Sequence, residues 1–172
     1  MAKLHIITVP DPLLKTKSVA VELVDDDIRK LLDDMLETMY GAPGVGLAGV
    51  QVGVPKRLLV IHTARDDESK SPIALINPEI LECSEDMRLH EEGCLSIPEV
   101  YAEVERPASC RVSYVDRDGK PQEMFCEDML STVVQHEIDH LNGVLFIDHL
   151  SKLKRDMIIK KYLKAQKGET VD

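Results

Sequence analysis

The sequence lacks any apolar run approaching the roughly 20 residues that a membrane helix needs. Its opening, MAKLHIITVPDPLL, has one early lysine and a short apolar stretch broken by Pro10 and Pro12, too short for a secretion signal. It has no fixed-period repeat and no low-complexity segment, which excludes solenoids, propellers and compositional disorder. Positive charge is in deficit. With 21 Lys and Arg against 31 Asp and Glu, the formal net charge of -10 repels DNA and anionic lipid wherever no local patch opposes it. Cysteine is scarce as well: Cys83, Cys94, Cys110 and Cys126 suffice for two disulfides, which a chain of this size in a reducing compartment does not need. Most of them are expected to be buried small hydrophobes. These absences predict a cytoplasmic, monomeric protein with no membrane or DNA partner.

What is present fits one globular domain over residues 1–172, with 44% hydrophobic and 30% charged residues. In DDDIRKLLDDMLETMY, Asp25 to Asp27 suit a helix N-terminus, and Ile28, Leu31, Leu32, Met35 and Met39 recur at helical spacing. The following GAPGVGLAGVQVGVP reads as a glycine-punctuated loop able to approach a ligand. RLLVIHTA and PIALINPEI read as buried strands, and CRVSYVD, RDGK and PQEMFCE as an antiparallel hairpin with its turn. EDMLSTVVQHEIDHLNG returns to helical period and stops at Gly143. A C-terminal helix covers about residues 150–167. Helix, strands and helices without βαβ alternation predict an α+β fold: antiparallel sheets packed around the helix that carries QHEIDH, plus an N-terminal and a C-terminal helix.

On that helix Met129, Val133, His136 and His140 form one stripe, so both imidazoles point inward, and Leu130, Val134, Glu137 and Leu141 form the adjacent one. A buried carboxylate needs a metal, a cation or a shared proton nearby. H-E-x-x-H on a helix suits metal ligation, but two imidazoles leave the metal incomplete. Downstream, His149 lies past the helix end in what reads as an ordinary exit. Upstream, Cys94 in HEEGCLSIPE is the better third ligand, and a thiolate with two imidazoles leaves one position open for water. Two other readings compete: a zinc peptidase, which gives EGCLS no role, and a non-catalytic metal-binding domain, which needs a fourth protein ligand.

The segments GVGLAGVQ (44–51), EGCLS (92–96) and QHEIDHLNG (135–143) resemble the three signature motifs of the peptide deformylases, in the same order, and the likeness extends from VPDPLL to LSKLKR. The resemblance implies hydrolysis of the N-formyl group from the initiator methionine of new polypeptides. Cys94, His136 and His140 would hold the metal, Glu137 would act as base and then acid, and Gln51 with the backbone N–H of Leu95 would meet charge on the formyl oxygen. The family's usual metal is Fe2+, replaceable by Ni2+, Co2+ or Zn2+, one per chain. Val45, Gly46, Met129, Thr132 and Val133 would contact substrate together with Glu92, and Arg106 would brace Glu92 in a buried ion pair.

Two positions depart from the family pattern. Gly49 stands where an alanine is usual, which predicts a looser loop around Gln51, and His90 stands where an aliphatic residue would line the pocket. In the tail, Lys160, Lys164 and Lys167 recur at helical spacing opposite Ile158, Tyr162 and Ala165. This basic face ends an acidic chain, and the resemblance implies a ribosome contact through it.

Overall fold

The computed structural model describes residues 3–63 and 71–168. The first helix, α1 (Asp26–Gly41), starts at Asp25, whose carboxylate accepts the Ile28 N–H at 2.9 Å, with Asp26 and Asp27 in the first turn. The glycine-rich stretch is more ordered than a loop: it forms β1 (Gly46–Ala48) and then a 3-10 turn over Gly49–Val52. β2 (Leu58–Ile61) matches the strand read in RLLVIHTA, whose last expected residue, Ala64, lies outside the described residues. β3 spans Ile73–Cys83. β4 (Met87–Cys94) and β5 (Ile97–Pro107) form a long hairpin that the sequence reading left unassigned. β6 (Ser109–Val115) and β7 (Pro121–Glu127) form the hairpin expected around RDGK. α2 (Asp128–Leu141) and α3 (Lys152–Gln166) complete the α+β architecture.

Among the described residues these strands pair antiparallel throughout. Five strands make one sheet in the order β1-β2-β3-β6-β7, and β4 and β5 make a second. The alternation of β2 shows how the main sheet is covered. Leu58 and Val60 join the buried side chains of α1, including Leu32, Met35 and Met39, while Leu59 and Ile61 join Val134, Ile138 and Leu141 of α2. β2 is therefore apolar at every position. A third cluster lies under β5, where Ala102 and Val104 meet Phe146, Ile147 and Tyr162.

In α3 the inward positions are Ile158, Ile159, Tyr162 and Leu163, whereas Ala165, expected to pack, is exposed. The step of one residue, from Ile158 and Tyr162 to Ile159 and Leu163, turns Ala165 outward. At its C-terminus α2 ends with Gly143 at φ +74°, and a Cβ there would fall 2.5 Å from the Lys15 carbonyl oxygen. The segment before α1 is tied to the rest by backbone bonds: Ile7 N donates to Gln51 O (2.8 Å), Val9 N to Ser96 O (3.0 Å) and Ser18 N to Leu141 O (2.8 Å).

Candidate metal centre

α2 lies between the two sheets, so side chains on opposite flanks are both enclosed. His140 is completely buried and His136 is 7% exposed. Cys94 ends β4 where the β4–β5 register shifts, between Gly93 and Cys94. One ligand atom from each of Cys94, His136 and His140 lies within 4.8 Å of the others, the only such His, Cys, Asp and Glu group of three or more found among the described residues. Cys94 Sγ is 3.3 Å from His140 Nε2. His136 donates from Nδ1 to Glu92 Oε1 at 2.9 Å, which fixes its tautomer with Nε2 free for a ligand bond. A soft thiolate and two imidazoles suit a divalent transition metal. The residues therefore fit the ion that the motif implies.

Glu92 and Arg106 form the expected buried pair, bidentate at 2.6 and 3.0 Å, both about 4% exposed. With His136 and Arg106 both on it, the Glu92 carboxylate is engaged behind a ligand, while the residue also borders the cavity. Burial would raise its pKa, but the His136 and Arg106 contacts outweigh burial and hold it low. Arg106 continues to Asp139 (2.8 Å), which also receives His149 Nε2 at 2.8 Å. His149 thus braces the support and stays out of the ligand set. Asp139 was missed from sequence although it stands inside QHEIDH. Its position three residues after His136 was the available signal.

Glu137 is 4% exposed, with Oε2 4.0 Å from His136 Nε2 and Oε1 buried without a hydrogen-bond partner among the described residues. Burial pushes its pKa up to about 7, with the nearby His136 pulling the other way. Gly46 explains how β1 comes so close: a Cβ there would sit 2.6 Å from Glu137 Oε2. Gln51 is oriented from both ends. Its Oε1 accepts the Ala48 N–H at 3.0 Å, and its Nε2 donates to Ser96 Oγ at 3.0 Å and lies 3.6 Å from Cys94 Sγ. Ser96 is the second residue missed, a fully buried serine whose own N–H points to Cys94 Sγ at 3.4 Å. A small polar residue two places after the thiol was its only mark.

The group opens on a cavity of about 590 Å³. Val45, Gly46, Gln51, Glu92, Cys94, Leu95, Met129, Thr132, Val133, His136 and Glu137 all border it, while His140 and Arg106 lie behind the wall. Val45 and Met129 are 42% and 39% exposed, which places them at the mouth, whereas Thr132 and Val133 lie deeper. The Thr132 hydroxyl accepts from Arg88 at 2.7 Å. His90, half-buried, borders the cavity in place of an aliphatic side chain. Gly49 does not loosen the turn before Gln51. It is buried, and a Cβ would meet the Val54 carbonyl oxygen at 2.8 Å, so glycine here permits tighter packing.

The polypeptide deformylase family model matches residues 3–156. The peptide deformylase of Agrobacterium fabrum strain C58 is 60% identical over 164 residues, 95% of this chain and 96% of that protein. That of Mesorhizobium japonicum is 62% identical over 164 residues, 95% of this chain and 93% of that protein. The crystal structure of the Ehrlichia chaffeensis peptide deformylase in complex with actinonin matches with a TM-score of 0.91 at 44% identity, covering 96% of this chain and 98% of that one.

Proposed function

Since the chain belongs to the polypeptide deformylase family, we propose that it hydrolyses the N-formyl group from the initiator methionine of newly made polypeptides and releases formate. The observation that carries this reading is the unpartnered Glu137 oxygen buried beside a Cys-His-His group that borders an open cavity. One metal ion per chain, held by Cys94, His136 and His140, is Fe2+ in the cell, replaceable by Ni2+, Co2+ or Zn2+. When bound, it supplies Lewis-acid activation of water and of the formyl carbonyl.

The chain's own residues do the rest. Glu137 takes a proton from the attacking water and delivers it to the departing amine. The Gln51 amide and the backbone N–H of Leu95 donate to charge growing on the formyl oxygen, each well-placed donor being worth about 3–4 kcal/mol. Because Ala48 and Ser96 hold the Gln51 side chain at both ends, that donor needs little reorganisation during the reaction. Thr132 and Val133 receive the methionine side chain, with Val45, Gly46 and Met129 at the entrance. Formate release from formyl-Met-Ala, compared with casein digestion, tests the reaction. Casein cleavage without formate would assign a zinc peptidase instead.

The protein acts as a cytoplasmic monomer. No described helix is long and apolar enough to cross a membrane. The basic side of α3 contacts ribosomal RNA phosphates, a contact that weakens steeply with salt. Lys160, Lys164, Lys167→Glu should abolish co-sedimentation with ribosomes at low salt, and unchanged co-sedimentation would make α3 a packing element only.

A further inference from the structure

Three of the four cysteines stand in one row across the main sheet. Cys83 on β3 pairs with Cys110 on β6, and Cys110 pairs with Cys126 on β7. Directly paired residues share a face. The neighbouring row, Glu82, Arg111 and Phe125, lies on the outer face, with Arg111 Nε 3.0 Å from Glu82 and its guanidinium 6.0 Å from the Phe125 ring centre. The cysteine row therefore faces α2. Cys110 and Cys126 are buried in the cluster beneath that helix, whereas Cys83, at the end of β3, is exposed, and all three are free thiols.

The register lets the central thiol reach both neighbours. Ser84 N donates to Ser109 O at 2.9 Å, so the adjacent Cys83/Cys110 pair is of the narrow kind, with Cα atoms about 4.5 Å apart. Bonds from Asp116 N to Lys120 O and from Asp128 N to Ala108 O put Cys110/Cys126 on the hydrogen-bonded parity, about 5.5 Å apart. Both separations fall inside the roughly 4.4–6.8 Å that a disulfide spans. The three thiols also differ. Hydrogen bonding from Cys126, with the Ser131 hydroxyl 3.7 Å away, holds Cys110 down to about 7 against burial, and Cys126 is pushed up by Cys110 and by burial. The middle sulfur is the one placed to reach both of the others.

We infer that Cys83, Cys110 and Cys126 form a thiol–disulfide relay, in which exposed Cys83 reacts with a small-molecule disulfide such as oxidised glutathione and the buried Cys110–Cys126 pair keeps the resulting disulfide. The Cys83 thiolate attacks one sulfur of the small disulfide, whose S–S bond breaks and releases one thiol. The Cys110 thiolate then attacks Cys83 sulfur, releases the second small thiol and forms the Cys83–Cys110 bond. Cys126 attacks Cys110 sulfur, its proton passing to the departing Cys83 thiolate. In sum, two protein thiols are oxidised to one disulfide and one small disulfide is reduced to two thiols. Cys94 takes no part, packing in the separate cluster under β5.

The metal-loaded protein would be incubated with oxidised glutathione, quenched with an alkylating reagent at intervals and mapped by mass spectrometry after proteolysis. The expected end product in the parent is a Cys110–Cys126 cross-link with Cys83 alkylated. Cys83→Ser, a change at an exposed position, should slow the cross-link at least tenfold, Cys110→Ser should leave glutathione on Cys83, and Cys126→Ser should stop at Cys83–Cys110. Glutathione on Cys83 of the parent with Cys110 and Cys126 still reduced would overturn the relay. So would formation of the internal cross-link at the parental rate in Cys83→Ser.

Discussion

α2 and α3 are nearly equal in length, 14 and 15 residues, yet ten residues of α2 are buried and only Tyr162 of α3 is. Enclosure on all sides changes what a helix can carry. An unpaired buried group costs several kcal/mol, so most polar side chains of α2 have a dedicated partner, with Glu137 Oε1 and His140 Nδ1 left without one among the described residues. His136 has Glu92, Asp139 has Arg106 and His149, and Gln135 has Ser131 and the Pro107 carbonyl. α3 instead holds its lysines in solvent, where exchanging charges costs little. Chemistry sits on the helix whose surroundings leave no freedom, and the helix that can vary faces outward.

The hardest break of this contrast is Cys94→Ala, which should abolish metal retention and reduce formate release to background, as metal analysis beside the assay would record; full metal occupancy would reject the ligand set. Glu137→Gln comes next. It preserves volume and metal but lowers hydrolysis by about 10³-fold, within the range of general acid–base effects, and activity within tenfold of the parent would point to another base. Gln51→Ala should lower kcat by about 10²-fold and leave KM little changed, because its donor acts on charge that appears only in the transition state. A defect confined to KM would remove the oxyanion role.

Arg106→Met sharpens the comparison on the stability side. It strands Glu92 beside His136 and should cost about 3–5 kcal/mol in denaturant unfolding, as breaking one side of a buried pair does. A change below 1 kcal/mol would show that the Glu92–Arg106 pair is dispensable. The smallest effect belongs to α3: Lys160, Lys164, Lys167→Glu should leave hydrolysis of free formyl peptides and the unfolding midpoint nearly unchanged. A large loss of either would mean that α3 supports the site.

Much of this was legible in the sequence. Helical periodicity located α1 and α2, Gly143 marked the end of α2, and H-E-x-x-H with Cys94 yielded the three side chains that the fold brings together. The β4–β5 hairpin escaped notice because charged residues, Glu92 and Arg106, interrupt its apolar buried positions. In β5, Ala102, Val104 and Arg106 alternate with Tyr101, Glu103 and Glu105, a period of two hidden by an arginine in a core position. The roles of Ser96 and Asp139 were hard to read for a related reason: they depend on partners 45 and 33 residues away, Gln51 and Arg106. Local spacing reports which face a side chain takes, and it cannot report what meets that side chain across the core. The same holds for Gly49, whose tightness comes from Val54 and Leu58 around it.

The ties of the segment before α1 bear on the order in which the molecule can assemble. Ile7 binds Gln51, Val9 binds Ser96, and Ser18 binds Leu141, with Lys15 against Gly143. A chain made from its N-terminus meets Gln51 and then Ser96 first, but it must carry Lys15 and Ser18 without their partners until residues 141–143 have been synthesised. Closing so wide a loop is entropically late, and contacts of such sequence separation slow folding. The nascent protein therefore cannot complete its own catalytic centre during most of its translation, and activity begins only after the last third of the chain has joined the first.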